Sequence, residues 1–266
     1  MKGVILAAGD GSRLNPLTLS CPKPLVPVLG RPLIEYTIKS FVKADIRRLV
    51  IVVGYMGEMI EKWLGDGSRF GARVKYAFNP DYHLGNALSL DCAYQQVADE
   101  PFILAMCDHM ISRDILTALL AWEGTYDTLC VDRLAHAPPQ VQDATKVWVS
   151  KAGFITGIGK EIEQWNAIDT GVFLFTPIVF TAISNLRRKG KRDCSLTGAV
   201  RWLIKRGRQV RACDVSGAFW MDVDTIEDLR YVERLLRTKG NRPRRPKLSK
   251  LRYESLFQKE SRRNSR

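Results

Sequence analysis

Two basic residues and a small set of carboxylates carry the chemistry this chain could do. Arg13 follows the run Ala8-Gly9-Asp10-Gly11-Ser12, and Lys23 stands ten residues on, between Pro22 and Pro24. Asp108 follows the apolar run Phe102 to Met106 at one residue's remove, and Asp222 and Asp224 sit in Trp220-Met221-Asp222-Val223-Asp224-Thr225. A loop whose glycines let the main chain approach closely offers bare N–H groups to an anion. Arg13 and Lys23 add two fixed positive charges at the same mouth, which is how a triphosphate would be held. Magnesium takes oxygen ligands in near-octahedral geometry, usually one or two carboxylates from protein and the rest from water and phosphate. Asp108 with one of Asp222 and Asp224 would suffice.

Plainer readings stand beside these. Gly9-x-Gly11 alone is a weak signal: the third glycine of a dinucleotide fingerprint would fall at Leu14, and no Gly-Lys-Ser/Thr of a Walker loop follows. Arg13 and the Pro-flanked Lys23 are what raise phosphate binding above a structural turn. Asp108 could serve as a loop hydrogen-bonder, and Asp222 or Asp224 as a helix cap. His109 reads as a polar neighbour packing under the loop more than as a ligand. His83 and His136 have no partners at ligand spacing.

The elements that must position these residues follow from periodicity. Lys2 to Ala8 predicts a buried strand, and Leu33 to Lys43, with apolar residues at 34, 38, 41 and 42, a helix. Strands are predicted at 49–53, 74–78, 102–106 and 128–131. Helices are predicted at 56–64, 86–97 and 111–122. This alternation implies a doubly wound α/β fold, a Rossmann-like, mostly parallel mixed sheet flanked by helices. In such sheets ligands lie beyond the carboxyl ends of the strands, where Gly9, Asn79 and Asp108 all fall.

The second half is more mixed. A hairpin is expected over 145–159, strands over 168–175 and 210–215, and helices over 177–186 and 195–205. A last helix runs from Thr225, an N-cap with Asp228 three residues on, to about Leu236. This half reads as an extension of the same sheet carrying a substrate lid. One domain is therefore expected over 1–236, with a nucleotide-binding half to about 132 and an acceptor-binding half over 133–236.

The 266 residues, 45% of them apolar, support a real core. No apolar run reaches the length of a membrane span, and the N-terminus does not read as a signal peptide. The six cysteines, scattered with no CxxC pair, point to reduced thiols in a cytoplasmic protein. The net charge of +13 is uneven: residues 237–266 hold twelve Lys/Arg against two Glu, which leaves a net of +3 for the rest. That basic C-terminal tail reads as solvated chain, or as a segment that brings the protein peripherally to an anionic membrane. Nucleic acid is the weaker partner reading.

LAAGDGSRL followed by CPKPLVPVLGRPLIEY resembles the signature of the nucleotidyltransferase family that makes NDP-sugars and NDP-alcohols from NTPs. Cys107 to Ser112, Asp143-Ala144-Thr145-Lys146-Val147, Ile168-Asp169-Thr170-Gly171 and Trp220 to Thr225 resemble its CTP:inositol-1-phosphate cytidylyltransferase branch. The resemblance runs from about Met1 to Leu236 and implies a nucleotidyltransferase (GT-A-like) fold. It implies nucleotide binding by Leu6, Ala7, Ala8, Gly9, Gly11 and Ser12, with Asn79 at the crevice and Gly85 and Asn86 against the base. Arg13 and Lys23 would be catalytic on the triphosphate, and Asp108 and Asp222 would hold Mg2+, with Asp224 as second choice. Lys146, Lys160 and Asp169 would bind the acceptor.

The implied reaction joins CTP to a phosphorylated polyol such as inositol 1-phosphate, and the tail would then meet a membrane-bound phospholipid synthase. Three positions depart from the sugar-nucleotide pattern: Gly159-Lys160-Glu161 replaces Glu-Lys-Pro, Gly85-Asn86-Ala87 replaces Gly-Thr-Ala, and Cys107 replaces a glycine. A sugar-1-phosphate nucleotidyltransferase and a catalytically silent regulatory domain are the alternatives.

Overall fold

The computed structural model describes residues 1–121, 126–135, 143–188 and 194–239. Trp122, the expected end of one helix, His136, and the tail from Gly240 onward lie outside the described residues. The chain forms two compact units, Met1–Val232 and Glu233–Arg266; the described part of the second is helical.

In chain order the strands are β1 (Lys2–Ala7), β2 (Pro27–Val28), β3 (Arg31–Pro32), β4 (Arg48–Val53), β5 (Arg73–Phe78), β6 (Phe102–Met106) and β7 (His109–Ile111). They continue with β8 (Asp127–Asp132), β9 (Lys146–Val149), β10 (Ile155–Gly159), β11 (Ala167–Phe175), β12 (Val210–Asp214) and β13 (Trp220–Asp222). The helices are α1 (Leu33–Lys43), α2 (Gly57–Leu64), α3 (Asn86–Cys92), α4 (Tyr94–Val97), α5 (Arg113–Leu120), α6 (Ile178–Arg188), α7 (Leu196–Lys205) and α8 (Ile226–Lys239).

Among the described residues nine strands form one sheet, in the order β10-β9-β11-β6-β1-β4-β5, with β8 also paired to β11 and β12 paired to β8. β6, β1, β4 and β5 run parallel. β1, β4 and β6 are buried on both faces, as a parallel sheet requires, while the edge strand β5 buries only Ala77 fully. In β1, Val4 and Leu6 pack into one core layer while Ile5 and Ala7 pack into the other. α1 buries Ile34, Ile38 and Phe41. Phe41 lies so close under β1 that a side chain on Gly3 would come within 2.6 Å of its ring.

β11 inserts between β6 and β8, antiparallel to both, which makes the sheet mixed as expected. Two expectations need correction. The helix expected from Asn86 to Val97 breaks at Ala93 into α3 and α4. Ile111 does not open a helix: it ends the three-residue strand β7, paired antiparallel with β13, and α5 begins only at Arg113. The second half does extend the same sheet, through β9, β10, β11 and β12. Among the described residues no helix is long and apolar enough to cross a membrane.

Candidate active site

The loop after β1 is shaped by its own sequence. Gly11 has φ 65, and a side chain there would meet Lys23 Cβ at 2.6 Å, so only glycine fits against the lysine stem. Asp10 Oδ1 accepts the Ser12 N–H at 3.1 Å, and Thr18 Oγ1 donates to the Gly11 carbonyl at 2.9 Å. Leu14, fully buried, pins the short turn Ser12–Leu14. Lys23 opens the single turn Lys23–Leu25, where Pro22 and Pro24 fix its direction. Gly9 faces open space, where a ligand can reach its backbone.

The pairing of β7 with β13 supplies the carboxylates. Asp222 lies opposite His109 in register, and the Val223 N–H donates to the Asp108 carbonyl at 3.0 Å. Two segments more than a hundred residues apart are thereby locked edge to edge. Their charged side chains then alternate in sign. Lys23 Nζ donates to Asp108 Oδ2 at 2.7 Å and to Asp224 Oδ1 at 2.6 Å. Arg13 takes the other oxygen of Asp224 at 2.7 Å and reaches Asp143 Oδ2 at 2.9 Å. Lys160 Nζ meets Asp143 Oδ1 at 2.7 Å. The line therefore runs Asp108, Lys23, Asp224, Arg13, Asp143, Lys160.

Burial by itself would depress the Lys23 ammonium, but the charges of Asp108 and Asp224 outweigh it and hold its pKa above the ordinary lysine value. Burial likewise works against the Asp108 carboxylate, and Lys23 with His109 overturns it, so Asp108 titrates far below the usual range. His109 Nδ1 sits 2.9 Å from Asp108 Oδ1, and the ring stacks on Trp220 with centroids 6.4 Å apart. Against its burial, Asp108, Asp222 and Asp169 push His109 up to about 9. Asp222 is raised by burial, and its Oδ1 is buried with no hydrogen-bond partner. Asp143 is lowered by its hydrogen bond from Lys160.

Arg13, Lys23, Asp108 and Asp224 open on a cavity of about 210 Å³. Leu6, Ala8, Gly9, Gly11, Ser12, Arg13, Lys23, Asn86, Asp108 and Asp224 line it, as do Asp10, Tyr82, Ser89, Met106 and Cys107. Ala7 points into the opposite core layer, as strand alternation demands. Asn79 is buried behind Ser89, its Nδ2 donating to Ser89 Oγ at 2.9 Å. Gly85, Lys146, Lys160, Asp169 and Asp222 do not line this cavity. Lys160 is linked to it through Asp143 and then Arg13, while Asp169, its carboxylate accepting the Gly171 N–H at 2.7 Å, is raised to about 6 by burial. Lys146 lies opposite Ile168 in the pairing of β9 with β11, one residue from Asp169.

Sequence reasoning assigned no role to Asp143, Tyr82 or Ser89. For Asp143 the signal was its place at the head of Asp143-Ala144-Thr145-Lys146; for the other two the sequence held none.

A Rossmann-like sheet with a glycine loop after its first central strand, and cations facing carboxylates across it, is the architecture of a nucleotide-handling α/β protein. The family described as "Nucleotidyl transferase" matches residues 2–239, and the chain belongs to that family. It is 33% identical over 234 residues to the "Bifunctional IPC transferase and DIPP synthase" of Rubrobacter xylanophilus, covering 87% of this chain and 51% of that protein. The "Low-salt glycan biosynthesis nucleotidyltransferase Agl11" of Haloferax volcanii is 30% identical over 242 residues, covering 89% and 66%. The chain thus spans roughly half to two thirds of the length of these curated relatives. Among solved structures, the inositol-1-phosphate CTP transferase from T. maritima superimposes with a TM-score of 0.78 at 29% identity, covering 90% of this chain and 96% of that one.

Proposed function

We propose that the chain transfers the nucleotidyl group of an NTP, CTP by preference, to a phosphate monoester of the inositol 1-phosphate type, giving a CDP-alcohol and pyrophosphate. The observation that carries this is the line of alternating charge from Asp108 to Lys160. It joins the glycine-loop cradle to a lysine in the acceptor-binding half. The likeness to the R. xylanophilus and T. maritima proteins supports the inositol phosphate and CTP.

In this reading an acceptor phosphate oxygen attacks the α-phosphorus in line. The new P–O bond forms as the bond to the bridging oxygen breaks, and pyrophosphate leaves with the electron pair. Both reactants are polyanions and the nucleophile is already anionic, so catalysis is positioning and charge stabilisation more than base catalysis. Arg13 and Lys23 hold the triphosphate and offset the charge that develops on pyrophosphate. Lys160 and Lys146 attract the acceptor phosphate, with Asp169 toward its hydroxyls.

The residues fit Mg2+. Asp108 and Asp222 offer hard oxygen donors, and Asp222 Oδ1 is buried with no hydrogen-bond partner; both oxygens of Asp224 are taken by Lys23 and Arg13, and Asp108, held by Lys23 and His109, would exchange one of those contacts for the metal. Magnesium bound there would neutralise phosphate charge.

A pyrophosphate-release assay over four NTPs and a panel of phosphate monoesters tests the proposal, with CTP and inositol 1-phosphate expected to lead. A sugar 1-phosphate with UTP or dTTP leading would favour the second reading. Glucose-1-phosphate thymidylyltransferase of Streptomyces griseus, 29% identical over 240 residues, supports that alternative. No release with any pair would favour a regulatory domain.

The basic tail, 237–266, we assign to an anionic membrane surface, where each Lys/Arg contributes roughly 1 kcal/mol. Flotation on anionic liposomes should be lost when the tail is deleted; equal flotation of both chains would remove this role.

A further inference from the structure

We propose that Cys130 and Cys213 form a redox-active dithiol, which a small-molecule disulfide of the glutathione class oxidises reversibly to an intrachain disulfide, and that the cross-link is felt by the acceptor residues. The first part stands apart from the proposed reaction; the second rests on it.

All six cysteines are free thiols, and two of them are strand neighbours. β12 runs parallel to β8, and Cys213 is the register partner of Cys130. Register partners in a sheet project from the same face. The packing agrees: Cys130 and Cys213 belong to one core layer, while Leu129, Val131, Val210 and Ala212 belong to the other.

Neighbouring strands lie about 4.8 Å apart. Disulfides are accommodated at Cα separations of roughly 4.4–6.8 Å, so the bond can close with little movement of either strand. That spacing is shorter than the usual disulfide value of about 5.5–6 Å, and a bond closed under strain is more easily reduced. Reversal by a thiol then follows.

The two thiols differ in exposure and in reactivity. Cys130 is fully buried and Cys213 half-buried. Burial raises the Cys130 thiol well above its ordinary value, and its hydrogen bond with Cys213 adds to this. The same hydrogen bond lowers Cys213, against its burial and the charge of Asp214; Arg211, two residues back on β12, also lowers it. Cys21 and Cys92, the other half-buried cysteines, are pushed up by burial. Of these three, Cys213 is the one an oxidant meets in the nucleophilic, thiolate form.

The exchange runs in two steps. The Cys213 thiolate attacks one sulfur of the disulfide RSSR; a Cys213–SR bond forms, the S–S bond of the oxidant breaks, and RS⁻ leaves and takes up the proton that Cys213 gave up. Cys130 then attacks the Cys213 sulfur. The protein disulfide forms, the second RS⁻ leaves, and it takes up the Cys130 proton. The protein loses two electrons and two protons, and RSSR gains them and departs as two RSH. Excess thiol drives both steps backwards.

The pair adjoins the acceptor residues through β11. The Cys130 carbonyl accepts the Thr170 hydroxyl at 2.9 Å, and Val131, the next residue, pairs with Asp169. Asp132 in turn accepts the Trp220 indole N–H at 2.9 Å. Drawing β8 toward β12 pulls on the segment that carries Asp169.

Incubating the reduced full chain with glutathione disulfide, followed by alkylation and peptide mass spectrometry, tests this. A peptide pair linked through Cys130 and Cys213 should appear, with no glutathione retained on Cys213, and dithiothreitol should restore both thiols. In Cys130→Ala, Cys213 should instead keep a glutathionyl group, because no thiol resolves it. In Cys213→Ala, the buried Cys130 should stay unmodified. In the linked wild-type chain, KM for inositol 1-phosphate should rise roughly 2- to 30-fold while KM for the nucleotide stays near its reduced value. Cys213→Ala treated in the same way should show no such rise.

Absence of the Cys130–Cys213 link, or glutathione retained on Cys213 in the wild-type chain, would overturn the dithiol. An acceptor KM equal in the linked and reduced chains would overturn the coupling. If the chain turns nothing over, the coupling falls with the proposed reaction, while the linked peptide still decides the dithiol.

Discussion

Lys23 and Asp224 meet at 2.6 Å across 201 positions of sequence, and the second oxygen of the same carboxylate holds Arg13 at 2.7 Å. One aspartate therefore sets both cations at the cavity mouth. A side chain held in place this way gives up less freedom on meeting phosphate. The arrangement also explains how a lysine this buried keeps its charge: Asp108 and Asp224 flank it.

Lys23→Ala should lower turnover by about 10²–10³, the usual cost of removing one group aimed at developing charge. Nucleotide affinity should fall much less, since Arg13 and the loop N–H groups remain. The substitution also leaves Asp108 and Asp224 without their shared cation, so the Asp108 carboxyl should titrate upward. Pyrophosphate release and carboxylate NMR check the two parts. Turnover close to wild type would count against the role given to Lys23.

Asp222 and Asp224 should separate under substitution. Asp222→Asn should raise the magnesium concentration for half-maximal activity by about tenfold or more, because it removes the oxygen with no protein partner. Asp224→Asn should leave the magnesium titration near its wild-type midpoint and instead raise KM for the nucleotide, through a loosened Arg13. The opposite pattern would exchange the two roles.

The sequence could not make that distinction, and the reason is physical. The loop from Gly9 to Ser12 and the strand before it are local: an apolar run, small residues and a turn signal within a dozen positions. The choice between Asp222 and Asp224 depends on β7 pairing with β13, two three-residue strands over a hundred residues apart. Neither is long enough to show a period, and Ile111 looked like the first turn of α5. The insertion of β11 between β6 and β8 was hidden similarly, since an apolar strand does not announce its neighbours. Asp143 bridges two cations that were each read alone. Asn86 stood out only as a departure from the common Gly-Thr-Ala; the bond to Leu196 that orients it spans 110 positions.

Asp143→Ala should leave the melting temperature within about 2 °C of wild type. Its pairs with Arg13 and Lys160 lie among side chains more than half exposed, and such pairs contribute little to stability. Function should move more. Asp143 occupies the same cations that phosphates would claim, so its removal should lower KM for nucleotide and acceptor together. Steady-state kinetics with either substrate varied would show it, and an unchanged KM for both would mean phosphate binds without displacing Asp143.

His109 should make stability depend on pH above neutrality. Its folded pKa of about 9 lies above the ordinary histidine value of about 6.5, so the folded state holds the proton more tightly. The stabilisation is fully present below about pH 6.5 and is lost as pH rises through about 9. His109→Gln, which keeps a donor for Asp108 but carries no charge, should therefore trail the wild type most at pH 6, and the gap in melting temperature should close toward pH 9. A gap constant across that range would mean the ring is held by its stacking on Trp220 and its packing under Gly171, with its charge playing no part.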